Sequence, residues 1–151
     1  MRIFRKQFKD VSLLHNILRI LDDVDDINYG GCLIACHAIY LKLGRPKNMQ
    51  IVQLSSWKEE IKHNMEYISN KKITPMSANH FVVTFDKGKT LYDSEGLYER
   101  QSRYKLLIPS CKIDQFCKNA IKYAPWNSMF DRSENIPLIE DQLKIKLNYD
   151  N

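Results

Sequence analysis

The stretch Asn28-Tyr29-Gly30-Gly31-Cys32 is followed at once by the apolar run from Leu33 to Leu43. Two consecutive glycines allow the backbone to turn sharply and to approach a ligand closely. The apolar run predicts a central helix that begins at Cys32 and ends before Gly44, a residue typical of a helix C-cap. The cysteine would thus lie at a helix N-terminus, where the unpaired N–H groups of the first turn favour a thiolate.

Cys32 is followed one helical turn later by Cys36 and then by His37, which raises the alternative of a zinc site. The spacing does not match the CxxC or HxxxH patterns of zinc proteins, and the chain offers no second ligand cluster. We therefore expect no metal and no cofactor, a buried Cys36, and a His37 side chain that points away from Cys32.

The clearest β pattern of the chain lies between Asn79 and Ser94. β-Branched and aromatic residues predict one strand from Asn79 to Phe85 and a returning strand from Thr90 to Ser94. The residues between them, Asp86 to Lys89, are typical of a tight turn. The two strands are therefore predicted to form a hairpin.

The register of this hairpin decides which side chains meet. A two-residue loop at Lys87-Gly88 places Val82 opposite Asp93, so that His80 and Asp93 become diagonal neighbours on one face. A three-residue loop with a glycine bulge instead pairs Phe81 with Asp93 and moves the carboxylate to the other face. Both registers are compatible with the sequence.

Hydrophobic periodicity also predicts the elements around the hairpin. Helices are expected over about residues 3–21, 57–69, 114–123 and 136–147, and strands over 49–54 and 104–108. A capping box at Ser56 and Glu59 would open the 57–69 helix, with apolar positions at Trp57, Ile61, Met65 and Ile68. With no repeat and no linker, residues 1–151 are expected to form one α+β domain.

Composition restricts the class of function. The net charge is +5, but basic residues alternate with acidic ones, so we expect no specific nucleic-acid binding. No stretch approaches the roughly 20 apolar residues of a membrane span, and no secretion signal is recognisable, which indicates a cytoplasmic protein. The four cysteines are therefore expected to be free thiols.

A cysteine, a histidine and an aspartate in this setting indicate nucleophilic catalysis. Cys32 is the candidate nucleophile, His80 its base and acid, and Asp93 the residue that orients the imidazole. The backbone N–H of Cys32 is one candidate oxyanion donor, and Asn28 and Gly31 are the further candidate oxyanion or substrate-binding residues. The expected substrate is a peptide, an amide or a thioester.

These motifs resemble the papain-like cysteine peptidase superfamily in its broad sense, which includes transglutaminase-like and NlpC/P60-like enzymes. Gly30-Gly31-Cys32 before an apolar helix, Asn79-His80 at a strand start and Tyr92-Asp93-Ser94 on its partner carry the resemblance. It covers residues 28–96 and implies a papain-like fold, a small antiparallel sheet packed against the cysteine-bearing helix. The chain departs from papain in lacking a glutamine shortly before the cysteine and a tryptophan directly after it.

The chain is also similar to small phage and bacterial proteins that share a Gly-Gly-Cys and a Tyr-Asp-Ser pattern. This resemblance implies a location in a host cytoplasm or a virion and a possible association with a larger phage assembly. The alternative function is a structural or virion-associated protein, or a host-binding factor, that keeps the fold with an inactive site. The missing glutamine favours that alternative.

Overall fold

The computed structural model describes residues 32–69, 80–93, 96–100, 102–123 and 143–148, together with Leu14, Asn16, Ile17, Arg19 and Asp141. It has the expected α+β class, with helices packed on an antiparallel sheet. In chain order the elements are α1 (Cys32–Lys42), β1 (Gln50–Ser55), α2 (Lys58–Ser69), β2 (His80–Thr84), β3 (Leu91–Asp93), β4 (Gly96–Tyr98), β5 (Tyr104–Ile108), a 3-10 turn (Ser110–Lys112) and α3 (Ile113–Tyr123).

Helix α1 begins at Cys32, as the sequence predicts, and is buried along most of its length. Gly44 follows its end with a φ of +79°. The N–H of Gly44 donates to Leu41 and the N–H of Arg45 donates to Tyr40, at 3.1 and 2.9 Å. This pair of bonds is a Schellman motif, which satisfies the last carbonyl groups of the helix. The predicted glycine C-cap is confirmed.

Among the described residues the sheet has five strands, in the order β4-β3-β2-β1-β5, and each neighbouring pair is antiparallel. β1 lies between β2 and β5, and its residues from Ile51 to Ser55 are all buried. Apolar residues on both faces of a central strand give the sheet two cores. One face packs against α1 and α3, with buried side chains that include Leu33, Ile39, Ile51, Phe81, Ile108 and Phe116. The other face carries Val52, Leu54, Val82 and Leu91.

The turn between β2 and β3 has two central residues. Lys87 and Gly88 both have positive φ, +62° and +91°, and the N–H of Lys89 donates to the carbonyl of Asp86 at 3.4 Å. These dihedral signs identify a type I′ turn, whose twist matches that of the flanking strands. Val83 accordingly pairs with Tyr92. This is the register of the two-residue loop, and the register of a three-residue bulged loop is not adopted.

The start of α2 differs from the predicted capping box. Ser55, rather than Ser56, engages this helix end: its Oγ accepts the N–H of Trp57 at 2.9 Å and donates to the Glu60 carboxylate at 2.8 Å. The helix itself begins at Lys58. The predicted capping box of Ser56 and Glu59 is therefore wrong. Ser55, the last residue of β1, interacts with Glu60 instead, because this serine reaches the helix from within the strand.

The buried face of α2 also differs from the predicted one. Ile61 is buried as expected, but Trp57 and Met65 are exposed by 63% and 51%. Asn64 and Tyr67 occupy the buried face instead. Asn64 is accommodated because its amide donates to the buried Gln53 on β1 at 2.7 Å.

The outer predicted helices are described only in part. Leu14 and Ile17 are helical and buried, as are Leu143 and Leu147. The remaining positions of the 3–21 and 136–147 helices, apart from a few, lie outside the described residues. Within the part of the chain that the structure describes, no helix has the length and apolar character needed to cross a membrane.

Candidate active site

The three residues predicted to act together each lie at an end of an element. Cys32 is the first residue of α1, His80 is the first residue of β2, and Asp93 is the last residue of β3. Such end positions expose a side chain at the margin of the sheet while regular structure holds its backbone. The structure brings the His80 ring against the Asp93 carboxylate and the Cys32 side chain close enough to affect the pKa of His80.

His80 and Asp93 form the pair that the hairpin register predicts. Nε2 of His80 lies 3.2 Å from Oδ2 of Asp93. Both side chains are largely shielded, with exposed fractions of 23% and 12%. A carboxylate on one ring nitrogen fixes the ring orientation and stabilises the imidazolium form. Because Asp93 occupies Nε2, Nδ1 is the nitrogen available for proton exchange with the thiol.

Cys32 approaches the same ring from α1. Its side chain is near enough to the His80 ring to raise the pKa of that histidine. The residue is half-buried and packs against the main core. Its backbone N–H belongs to the first turn of α1, where N–H groups have no partner within the helix. A thiol, an imidazole and a carboxylate therefore follow one another as a proton-transfer chain requires.

The protonation of His80 is set by opposing effects. Burial of the ring lowers its pKa, but hydrogen bonds to Asp93 and Cys32 and the negative charges of both groups outweigh burial and raise the pKa of His80 to about 9. The environment thus favours a ring that holds two protons at neutral pH. An imidazolium in that state can protonate a leaving group next to the thiol.

The other cysteines have different surroundings. Burial, and the nearby Cys32 group, raise the pKa of the Cys36 thiol well above its usual value. Burial also raises the pKa of the Cys117 thiol. Cys111 is exposed, and all four cysteines are free thiols. Of the four, Cys32 is the one that contributes to the raised pKa of His80.

Two predicted site residues lie where the structure gives no description. Asn28 and Gly31, the candidate oxyanion and substrate-binding residues, are outside the described residues. Their role remains a prediction from the sequence. The N–H of Cys32 is the candidate oxyanion donor that the structure describes.

His37 belongs to a separate cluster on the other side of α1. Its Nε2 lies 2.8 Å from Oδ1 of Asp114, whose second oxygen accepts a hydrogen bond from Arg45 at 2.9 Å. Burial raises the pKa of Asp114, but hydrogen bonds from Arg45 and His37 and their charges outweigh it and lower that pKa. Among the described residues, no group of three or more His, Cys, Asp or Glu side chains is arranged to hold a metal ion.

The site includes one aromatic residue that the sequence did not indicate. The ring of Tyr98, the last residue of β4, lies 5.2 Å from the His80 ring between centroids, with an interplanar angle of 40°. β4 contains only Gly96, Leu97 and Tyr98, which is too short for an alternating pattern to stand out. The only sequence signal was the Gly96 break that follows the hairpin.

No protein-family model matches this chain, and neither a curated protein nor a solved structure matches it. The site is therefore described by its own geometry: a thiol at a helix start, an imidazole near it, and a largely shielded carboxylate on Nε2 of that ring.

Proposed function

We propose that the chain is a cysteine-dependent hydrolase or acyl transferase that acts on a peptide, amide or thioester through an acyl-enzyme. The observation that carries this proposal is the position of His80 between Cys32 and Asp93, with its Nε2 held 3.2 Å from the carboxylate. A nucleophile, a base and an orienting group in that order are the parts of a catalytic triad.

In the first half of the reaction, Nδ1 of the His80 imidazolium already holds the proton of the Cys32 thiol, and the Cys32 thiolate attacks the carbonyl carbon. A carbon–sulfur bond forms, and the carbonyl π electrons move to oxygen, where the N–H of Cys32 donates to the oxyanion. As the oxyanion collapses, the bond to the leaving nitrogen or sulfur breaks. His80 protonates that leaving group, and a thioester remains on Cys32.

In the second half, water or another acceptor enters beside His80. Nδ1 of His80 removes the acceptor's proton while its oxygen or nitrogen attacks the thioester carbon. The carbon–sulfur bond then breaks, the product leaves, and the sulfur departs as a thiolate while His80 keeps the proton, which restores the starting state. Asp93 stabilises the imidazolium at each stage but exchanges no proton with the substrate.

A papain-like architecture is part of this proposal. Support comes from the antiparallel sheet, from the helix that carries Cys32 and packs against β2, and from the order Cys, His, Asp along the chain. Along the chain, the helix that carries Cys32 comes before the two successive strands that carry His80 and Asp93. This is the order that the sequence resemblance implies.

The proposal is tested with p-nitrophenyl acetate, an activated ester that requires no knowledge of the natural substrate. We expect the wild-type protein to acquire an acetyl group on Cys32, detected by intact and peptide mass spectrometry, and to release it with turnover. His80→Gln should acetylate at least tenfold more slowly because the thiol loses its base.

The matched control is Cys111→Ser, which removes the exposed thiol and should leave both acetylation and turnover unchanged. Cys32→Ser should abolish turnover. If Cys32 acquires acetyl no faster than Cys111 in the wild-type protein, the site is not catalytic, and the non-enzymatic alternative is favoured.

A further inference from the structure

Tyr98 lies against the His80 ring without belonging to the triad. The ring centroids are 5.2 Å apart and the planes are inclined by 40°. A cation within about 6 Å of an aromatic centroid is attracted by the negative face of the ring. The distance is therefore in the range at which a tyrosine stabilises an imidazolium.

The strand pairing explains how a residue of β4 comes near β2. Asp93 pairs with Gly96, and Tyr98 follows two residues later, so that Tyr98 and Asp93 share one face of the sheet. Gly96 has a φ of +113°, and a Cβ added there would have no heavy atom within 4 Å. The positive φ, rather than a close approach of the Tyr98 ring or the Asp93 carboxylate, therefore accounts for the glycine at this position.

We propose that Tyr98 is a positioning residue whose ring packs against the His80 imidazolium and stabilises its charged form. The stabilisation of the imidazolium holds whether or not the chain is an enzyme, whereas its catalytic consequence rests on the proposed function. The ring, rather than the phenolic hydroxyl, is the active part of the residue.

The titratable and charged groups near His80 can be named for each described element that packs against it. Cys32 of α1 and Asp93 of β3 are the titratable neighbours, and both favour the charged ring. The β1 residue paired with His80 is Leu54, which carries no charge, and Lys105 of β5 lies one strand farther away. Tyr98 therefore adds to an environment that already favours the cation, and it does so from β4.

The proposal predicts different behaviour for two substitutions at Tyr98. Phenylalanine keeps the aromatic face and should preserve the pKa of His80, whereas leucine removes it. We expect Tyr98→Leu to lower the pKa of His80 by about 0.5 to 1 unit, the range implied by a partly shielded cation–π contact. Leu97→Ala, at a 56% exposed position of the same strand, is the matched control and should cause no change.

The measurement is an NMR titration of the His80 ring nitrogens in the full-length protein. Equal pKa values in Tyr98→Leu and wild type would overturn the proposal, and so would an equal decrease in Tyr98→Phe, which would assign the effect to the hydroxyl. If Tyr98→Leu does not fold, nuclear Overhauser contacts between the Tyr98 and His80 ring protons in wild type decide the matter, and their absence would contradict the packing.

The catalytic consequence is measured separately, as the acid limb of the pH profile of Cys32 alkylation by iodoacetamide, along which the thiolate forms. That limb should move to higher pH in Tyr98→Leu, because a less stabilised imidazolium favours the thiolate less, and stay in place in Tyr98→Phe. If wild-type Cys32 shows no enhanced alkylation at any pH, the proposed function fails while the NMR result for Tyr98 stands. If the alkylation is enhanced but its limb does not move, the positioning role fails alone.

Discussion

Nε2 of His80 lies 3.2 Å from Oδ2 of Asp93, and this contact depends on the turn at Lys87 and Gly88 between the two strands. The type I′ turn at Lys87-Gly88 sets the register in which Val83 pairs with Tyr92. That register makes His80 and Asp93 diagonal neighbours on the sheet. A shift by one residue would move the carboxylate to the opposite face and leave the ring without its acceptor.

Asp93→Asn should reduce the rate of Cys32 acetylation by roughly a hundredfold, within the range that a positioned acid–base group contributes. The amide keeps the size of the carboxylate but loses the charge that stabilises the imidazolium. The measurement is the initial rate of acetylation by p-nitrophenyl acetate. Asp114→Asn is the matched control, because it alters a second His–Asp pair, that of His37, on the other side of α1. Equal rates in the two variants would contradict the role of Asp93.

The free energy of unfolding should fall as the pH rises from about 6.5 to 9. The pKa of His80 is raised to about 9 in the folded chain. Between those pH values the native state therefore binds a proton that the unfolded state has released, and the stabilisation is complete below 6.5. The difference between the folded and unfolded pKa of His80 corresponds to a contribution of at most about 3 kcal/mol to the free energy of unfolding. Urea denaturation at several pH values measures it.

His80→Gln is the control for that titration. A glutamine does not titrate, so the difference in unfolding free energy between wild type and variant isolates the histidine. This difference should decrease steadily between about pH 6.5 and 9. A difference that stays constant over this range would mean that His80 is not held in its charged form by Asp93 and Cys32.

The turn that sets the register should respond to substitutions according to its dihedral angles. Gly88 has a φ of +91°, and an added Cβ would meet only Leu107 side-chain carbons, at 3.6 Å or more. Gly88→Ala should therefore destabilise the chain by about 1 kcal/mol through backbone strain rather than a clash. Lys87→Asn should stabilise it by about 0.5 kcal/mol, since asparagine tolerates a positive φ and favours type I′ turns. Thermal denaturation measures both, and a neutral Gly88→Ala would contradict the turn type.

The amide pair beneath α2 should be sensitive to the loss of one partner. Asn64 donates to Gln53 at 2.7 Å, and both side chains are fully buried. Asn64→Ala leaves the Gln53 carbonyl without this donor and should cost about 1 to 3 kcal/mol of stability. Glu66→Ala, on the exposed side of the same helix, is the control and should change stability by less than about 0.5 kcal/mol. Urea denaturation distinguishes the two.

Much of the fold follows from local patterns in the sequence. The apolar run that follows Cys32 and ends before Gly44 defines α1, and the alternating residues on either side of Lys87-Gly88 define the hairpin. The strand 104–108 was expected with its observed bounds. These elements were predictable because each depends on residues close together in the chain.

The remaining features depend on contacts between distant segments. The sequence left two hairpin registers open because the choice between them depends on backbone conformation at Lys87 rather than on residue type alone. Asn64 lies on the buried face of α2, where its amide donates to Gln53 of β1, and no periodicity reveals such a pair. Tyr98 reaches His80 from a three-residue strand, whose position is fixed by pairing with β3.

The central claim is that Cys32 is a nucleophile activated by His80, and its most direct test is the rate of alkylation by iodoacetamide at each cysteine. In wild-type protein near pH 7, peptide mass spectrometry should show Cys32 reacting at least tenfold faster than the exposed Cys111, with Cys36 and Cys117 protected by burial. His80→Gln should remove that advantage. Equal rates at Cys32 and Cys111, unchanged by His80→Gln, would contradict the claim.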